Sequence, residues 1–290
     1  MGLTRRAFFQ HTGMALTGLG VSQLDLTVLG DRYAQALAQP TRRKLALLIG
    51  INQYPESVCD CALTKGSALG GCITDVALQQ ELLIHRFGFQ PADIVTLCDQ
   101  SATRAAIATT FLEHLTAQAR SGDVVVVHFS GLGSHLRFAD APDALRHSLV
   151  PVDGYLPTAE QPVINDLMTE TLSLLVRSLQ TEQVTTILDT SYAYPSHQGL
   201  QGNLRVRSRP STPTGQINPQ ERALQERLLN QVGASDQQIR QQWQTGQLPG
   251  IVLSAASRGQ SATEGQWDGF SAGLLTYALT QHLWHVVAPT

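Results

Sequence analysis

The chain has 290 residues, 42% of them hydrophobic and 15% charged, enough apolar material for one large or two ordinary domains around a sizeable core. A short disulfide scaffold and a disordered chain are both excluded. With 20 Lys and Arg against 23 Asp and Glu the net charge is -3, so the basic excess that grips a phosphate backbone is missing and no nucleic acid partner is expected. Four cysteines, at 59, 61, 72 and 98, lack the paired spacing of a zinc site, and Cys59 and Cys61 are too close for an easy mutual bridge, so free thiols are expected.

The first elements read as a targeting segment. Arg5 and Arg6 precede Phe8 and Phe9, a mildly apolar stretch from Met14 to Val21 follows, and Ala34, Ala36 and Ala38 place small residues where a signal peptidase cuts. The apolar stretch is too short to span a bilayer. Residues 1–38 therefore resemble a twin-arginine export signal, which implies a mature chain that starts near Gln39, carries no membrane span and works outside the cytoplasm.

The body alternates strands and helices. Lys44 to Ile51 is a continuous apolar run, the pattern of a parallel strand buried on both faces. Thr74 and Asp75 offer an N-terminal cap for a helix that Gly88 stops. A strand follows at Ile94 to Cys98, then a helix capped by Ser101 or Thr103 with Ile107, Phe111 and Leu115 on one face. The third strand, Val124 to Phe129, is the clearest. Leu172, Leu175, Val176 and Leu179 mark a further helix, Val184 to Leu188 a fourth strand, Ile251 to Ser254 a fifth, and Leu274 to Trp284 a last helix. Between the last two strands the composition turns to Gln, Ser, Thr, Pro and Arg, with one helical patch near Glu221 to Gln231, and reads as an insertion or linker. The alternation predicts an α/β fold with an open, mostly parallel sheet and helices on both faces, and functional groups at the carboxyl ends of its strands.

Two loops sit at such ends, His128 to Ser134 after the third strand and Asp189 to Tyr194 after the fourth. With Leu48 to Asn52, Gly71 to Asp75 and Leu149 to Asp153 they resemble the caspase-like fold, and in particular the bacterial metacaspases or orthocaspases of peptidase family C14. The resemblance implies a caspase-like domain over 44–290, with a large-subunit-like part 44–193, a linker or insertion 194–249 and a small-subunit-like part 250–290. It also implies an endopeptidase that cuts after Arg or Lys, and a further strand after the last helix, where this sequence ends at Thr290. Cys72, Asp75 and Asp189 match positions that line the family's acidic substrate pocket. Ser254 to Ala256 and Gln260 to Ala262 match stretches that shape its groove.

At the family's two catalytic positions the sequence departs from the pattern. Leu132 stands in place of the base histidine and Ser191 in place of the nucleophilic cysteine. Leucine has no proton-accepting atom, and a serine hydroxyl without an adjacent base is a weak nucleophile. The expectation is a pseudo-peptidase that binds a basic peptide or protein, or an active paralogue, without cutting. The competing expectation is an endopeptidase that uses Ser191 with another base, for which His128, His135, His197 and Tyr192 are the nearby titratable groups. A third makes the domain a scaffold without a peptide site. Asp75 could equally serve only as a helix cap and Asp189 only as an acceptor at a strand end. Arg205, Arg207 and Arg209 lie where family members are often cut, although a solvated run of charge is the commoner meaning.

No cofactor is expected, since no phosphate-binding glycine motif accompanies a strand. Calcium assists some relatives, yet Asp140, Asp143 and Asp153 match no ion-binding loop, and no metal site is expected. Gly269 to Gly273 fits the G-x-S-x-G nucleophile elbow, but no buried strand precedes it and no acid follows Ser271, so the match reads as accidental.

Overall fold

Val124 to Ser130 and Val184 to Asp189 are buried at every position, and all of Lys44 to Gly50 except its first residue is buried too. Such strands need cover on both faces. The computed structural model describes residues 23–58, 69–139, 141–192, 205–209, 212–244, 249–256, 260–267 and 269–285. In chain order the elements begin with α1 (Gln23–Leu37), β1 (Lys44–Gly50), α2 (Cys72–Phe87), β2 (Ile94–Cys98), α3 (Arg104–Thr110), β3 (Val124–Ser130), β4 (Gly133–Phe138) and β5 (Ala141–Leu149). Next come β6 (Val163–Ile164), β7 (Leu167–Met168), α4 (Thr169–Arg177), β8 (Val184–Asp189), β9 (Arg205–Val206) and β10 (Thr214–Ile217). The chain continues through α5 (Pro219–Val232), α6 (Asp236–Gln244), β11 (Ile251–Ser254), β12 (Thr263–Trp267), β13 (Phe270–Gly273) and α7 (Leu274–His285).

The main sheet has the order β11-β8-β3-β1-β2, and each neighbouring pair is parallel. Its members are the five strands expected from the apolar runs. Side chains alternate along β1, so Leu45, Leu47 and Ile49 join one apolar cluster with Ile107, Phe111, Leu175 and Leu228, while Ala46 and Leu48 join another with Val76, Leu83 and Leu279. Helices therefore cover both faces. The chain winds one way from β1 to β2 and the other way from β3 to β8, which opens a crevice at the carboxyl ends of β1 and β3.

Of three helix boundaries, one differs from expectation in an informative way. Gly88 ends α2 in the left-handed conformation with φ of 69°, as a C-terminal glycine should. At the other end the N-cap is Gly71, without a side-chain cap, so Asp75 lies inside the first turn and is fully buried. The capping role considered for Thr74 and Asp75 is thus corrected. Thr103 does cap α3, accepting from Ala106 N–H at 3.1 Å.

After β3 the chain forms the β4–β5 hairpin, which belongs to a second sheet ordered β6-β10-β4-β5-β7, and β13-β12-β9 form a third. Within 194–249, the described residues hold two helices and two strands instead of one helical patch. Leu224 and Leu228 of α5 are buried against the core, and Arg104 pairs with Glu221 at 3.2 Å with both side chains nearly inaccessible. Helix α1 is also integral: Tyr33 and Leu37 are fully buried, and Tyr33 donates to Gln79 Oε1 at 3.3 Å. Removing residues up to 38 would strip both side chains from the core. Residues 1–22, which carry the arginine pair, lie outside the described residues. No helix among the described residues is long and apolar enough to cross a membrane.

Candidate active site

Ser130 ends β3 and Asp189 ends β8, directly across the ladder from one another. Asp75, from the first turn of α2, comes within hydrogen-bond reach of Ser130, whose hydroxyl donates to Asp75 Oδ2 at 2.6 Å. Glu264 of β12 closes the group. These carboxylates are anchored by backbone donors: Asp75 accepts from Gly273 N–H at 2.9 Å and Asp189 from Thr276 N–H at 2.8 Å, while Glu264 accepts from Gly70 and Gly71 at 2.7 and 3.0 Å. Thr276 is in the first turn of α7 and Gly71 precedes α2, so two helix N-termini support the negative charge.

One side chain of the same molecule fills this acidic pocket. Arg207 is fully buried, its guanidinium 2.7 Å from Asp75 Oδ2, 3.1 Å from Asp189 Oδ1 and 3.3 Å from Glu264 Oε2, and it donates to Ser130 Oγ at 2.7 Å. Three carboxylates face one guanidinium. Burial pushes the Asp75 carboxyl up to about 6, against the pull of Arg207, and pushes the Cys72 thiol up to about 12, so Cys72 lines the pocket as a neutral group. Gly273 has no room for a side chain, since a Cβ there would lie 2.2 Å from Asp189 and 2.4 Å from Arg207.

The Arg207 backbone is held as firmly as its side chain. Its N–H donates to Ala262 O at 2.9 Å, and its carbonyl accepts from Gly133 N–H and Ser191 N–H, both at 3.1 Å. Thr190 Oγ1 adds a third donor at 3.3 Å. Two backbone N–H groups converging on one carbonyl form the kind of cradle that stabilises an oxyanion during acyl transfer. The Arg207–Ser208 peptide bond thus lies against the loop that carries Ser191.

Leu132 and Ser191, the positions matching the family's catalytic pair, are brought together. Gly133, next to Leu132, approaches Ser191 so closely that a Cβ would sit 2.3 Å from the Ser191 carbonyl. Leu132 is buried with Val58, Leu69, Cys72 and Val150, its N–H bound to the Tyr54 hydroxyl at 2.9 Å. Ser191 is fully buried, and its Oγ has no hydrogen-bond partner among the described residues. None of the described histidines reaches it. His128 binds Thr276 Oγ1 at 3.2 Å, His135 stacks on His147, and His147 stacks on Tyr192 at 4.6 Å, while burial raises the Tyr192 phenol further from a useful pKa. His197 lies outside the described residues, as do Cys59 and Cys61.

The sequence reading missed Arg207 as the occupant, and Glu264 and Ser130 as its partners. Arg207 and Arg209 are buried, which corrects their reading as a solvated charge run. The available signal was spacing: arginines at every second residue share one side of an extended strand. Ser271 lies on an antiparallel hairpin strand, with Gln266 as its partner, so Gly269 to Gly273 makes no nucleophile elbow. For calcium, Asp153 is bound to Arg104 N–H at 2.8 Å, Asp143 is exposed and Asp140 is outside the described residues. Among the described residues no group of three acidic, His or Cys side chains is arranged to hold a metal ion, and the three carboxylates that do converge, Asp75, Asp189 and Glu264, are occupied by the Arg207 guanidinium.

His128 gives a pH prediction. Burial pushes its imidazole down to about 4, so the ring is neutral in the fold, whereas the unfolded chain protonates it near the ordinary histidine value of 6.5. Its contribution to stability is complete above about 6.5 and falls by about 3 kcal/mol as pH drops through 4. Asp75, raised to about 6, acts in the opposite sense, gaining as pH falls from 6 to 3.8. An NMR titration is expected to show the His128 ring unprotonated until pH approaches 4, and a midpoint near 6.5 would refute its buried, neutral state.

A parallel sheet with acids, a donor cradle and a serine loop at its carboxyl ends defines a protein of the caspase-like class. A family model for the metacaspase, peptidase C14 domain matches residues 44–196, more than half of the chain, and the chain belongs to this family. It is 32% identical over 193 residues to metacaspase-1 of Cryptococcus neoformans, covering 63% of this chain and 37% of that protein. With metacaspase-1 of Yarrowia lipolytica it shares 24% identity over 259 residues, covering 82% and 54% respectively, and with Arabidopsis thaliana metacaspase-8 37% over 128 residues, covering 41% and 31%. The chain thus spans about a third to about half of the length of these relatives. A crystal structure of a Geobacter sulfurreducens protein matches in fold with a TM-score of 0.50 and 17% identity, covering 81% of this chain and 79% of that one.

Proposed function

We propose that this metacaspase-family chain is a pseudo-peptidase that grips a basic peptide strand without cutting it. The observation that carries this reading is the pairing of an intact arginine pocket and carbonyl cradle with a Ser191 hydroxyl that no base among the described residues touches. Leu132 supplies hydrocarbon where proton transfer would need a lone pair, and losing base or nucleophile alone can cost on the order of 10^6 in kcat. Cys72, Asp75 and Asp189 are the basic-residue pocket of this proposal, and Arg207 of the same chain is its resident ligand. Neither a cofactor nor calcium enters the reading. Export along the twin-arginine route is part of it, with α1 remaining in the folded protein because its buried side chains oppose a cut near Ala38.

The test is incubation of the purified chain with Arg- and Lys-terminated fluorogenic peptides and, separately, with a fluorophosphonate. The expected outcome is no release above background and no label on Ser191. Turnover that disappears in Ser191→Ala would replace this reading with that of a serine endopeptidase.

A further inference from the structure

Arg207 is not the only arginine of its strand held in a built receptor. Arg209 is fully buried as well, and its guanidinium grips Asp166 with two parallel bonds, Nη1 to Oδ2 at 2.9 Å and Nη2 to Oδ1 at 3.1 Å. Nε donates to Val58 O at 2.9 Å, and Nη1 also approaches Ser134 Oγ at 3.4 Å. Asp166 is positioned by Ser148, whose hydroxyl donates to Oδ2 at 2.7 Å. A planar fork on a carboxylate with the remaining donor on a backbone carbonyl is a geometry that lysine cannot reproduce.

The two receptors are set for one extended strand. Gly133 donates its N–H to Arg207 O and accepts Arg209 N–H at 2.7 Å, a parallel bridge opposite Ser208, while β12 pairs with the strand on its other edge. Residues two apart along such a strand point the same way, about 6.6 Å from each other. The pockets around Asp75 and Asp166 therefore receive arginines on opposite sides of the Arg207–Ser208 bond.

We propose that Asp166 forms a second arginine subsite, so that the groove selects an Arg-x-Arg strand and not a single basic residue. This rests on the reading of the groove as a peptide holder. The ligand class is an extended peptide with two arginines separated by one small residue, and the chain's own Arg207-Ser208-Arg209 is the occupant seen.

The experiment measures binding of the blocked peptide Arg-Val-Arg-Ser-Arg to the full chain carrying Arg207→Ala and Arg209→Ala, beside peptides with alanine in place of the middle or the last arginine. Loss of the last arginine is expected to weaken binding at least about 10-fold, and Asp166→Asn is expected to bring the parent peptide to the level of that truncated one. Binding that depends on the middle arginine alone would overturn the second subsite and leave the peptide-holding reading intact. Binding of none of the peptides would overturn both. Should the double variant fail to fold, the unmodified chain is used: an excess of the parent peptide is expected to speed hydrogen exchange at the Arg207 and Arg209 amides by displacing the resident strand. If the peptide lacking the last arginine displaces it equally well, the subsite is refuted.

Discussion

Leu132→His combined with Ser191→Cys is expected to make the chain cut itself between Arg207 and Ser208. The side chain of Arg207 already fills the acidic pocket, and its carbonyl already accepts from Gly133 and Ser191 at 3.1 Å, so positioning and oxyanion stabilisation are in place and only the reactive pair is missing. Mass spectrometry should find one fragment ending at Arg207 and another beginning at Ser208, formed on the order of 10^6 faster than in the unmodified chain. Adding Arg207→Gln to the double variant should abolish that cut. Cleavage at scattered sites, or none from a folded double variant, would show that the groove is not in register for catalysis.

Arg207→Ala is expected to be among the most damaging single changes in the molecule. It leaves Asp75, Asp189 and Glu264 in a buried pocket without their common counter-charge, a situation that typically costs about 3–5 kcal/mol. For a chain of this size that corresponds to a fall in Tm on the order of 10 °C, readable by calorimetry. The deficit should shrink as pH falls toward about 6, because Asp75, freed from the pull of Arg207, takes up its proton more readily in the variant than in the unmodified chain, and small guanidinium compounds should restore part of the loss by entering the vacated space. A change below about 1 kcal/mol would mean that water already screens the acids and that Arg207 contributes little.

Strands β1 and β3 were legible because burial on both faces leaves a nearly unbroken apolar run, as in Val124 to Phe129, while β2, β8 and β11 showed as shorter apolar and β-branched runs between turn and helix signals. Asp189 and Ser191 could be located because the end of such a strand is a fixed place. The β4–β5 hairpin was not, since His135, Arg137, Asp143 and Arg146 interrupt the apolar pattern of a strand whose partner is a small second sheet. The decisive omission was Arg207. Its meaning depends on carboxylates at 75, 189 and 264, which only the folded chain brings within 3.3 Å. Charge composition records a guanidinium as solvated until the tertiary structure shows what surrounds it. Asp75 was named for the acidic pocket on resemblance alone: a carboxylate in the first helical turn has an adequate local explanation as a cap, and only its contact with Ser130 and Arg207 separates the two readings.

The gathering of Asp75, Ser130, Asp189 and Glu264 about Arg207 also bears on how the molecule assembles. On a ribosome the acids at 75 and 189 emerge before the cation that neutralises them, and Glu264 emerges later still, so the nascent sheet cannot close its carboxyl edge until nearly the whole domain has been made. Partial chains should therefore stay loose and open to chaperones, and the final collapse should be a single cooperative event that ties the earliest strands to the latest ones.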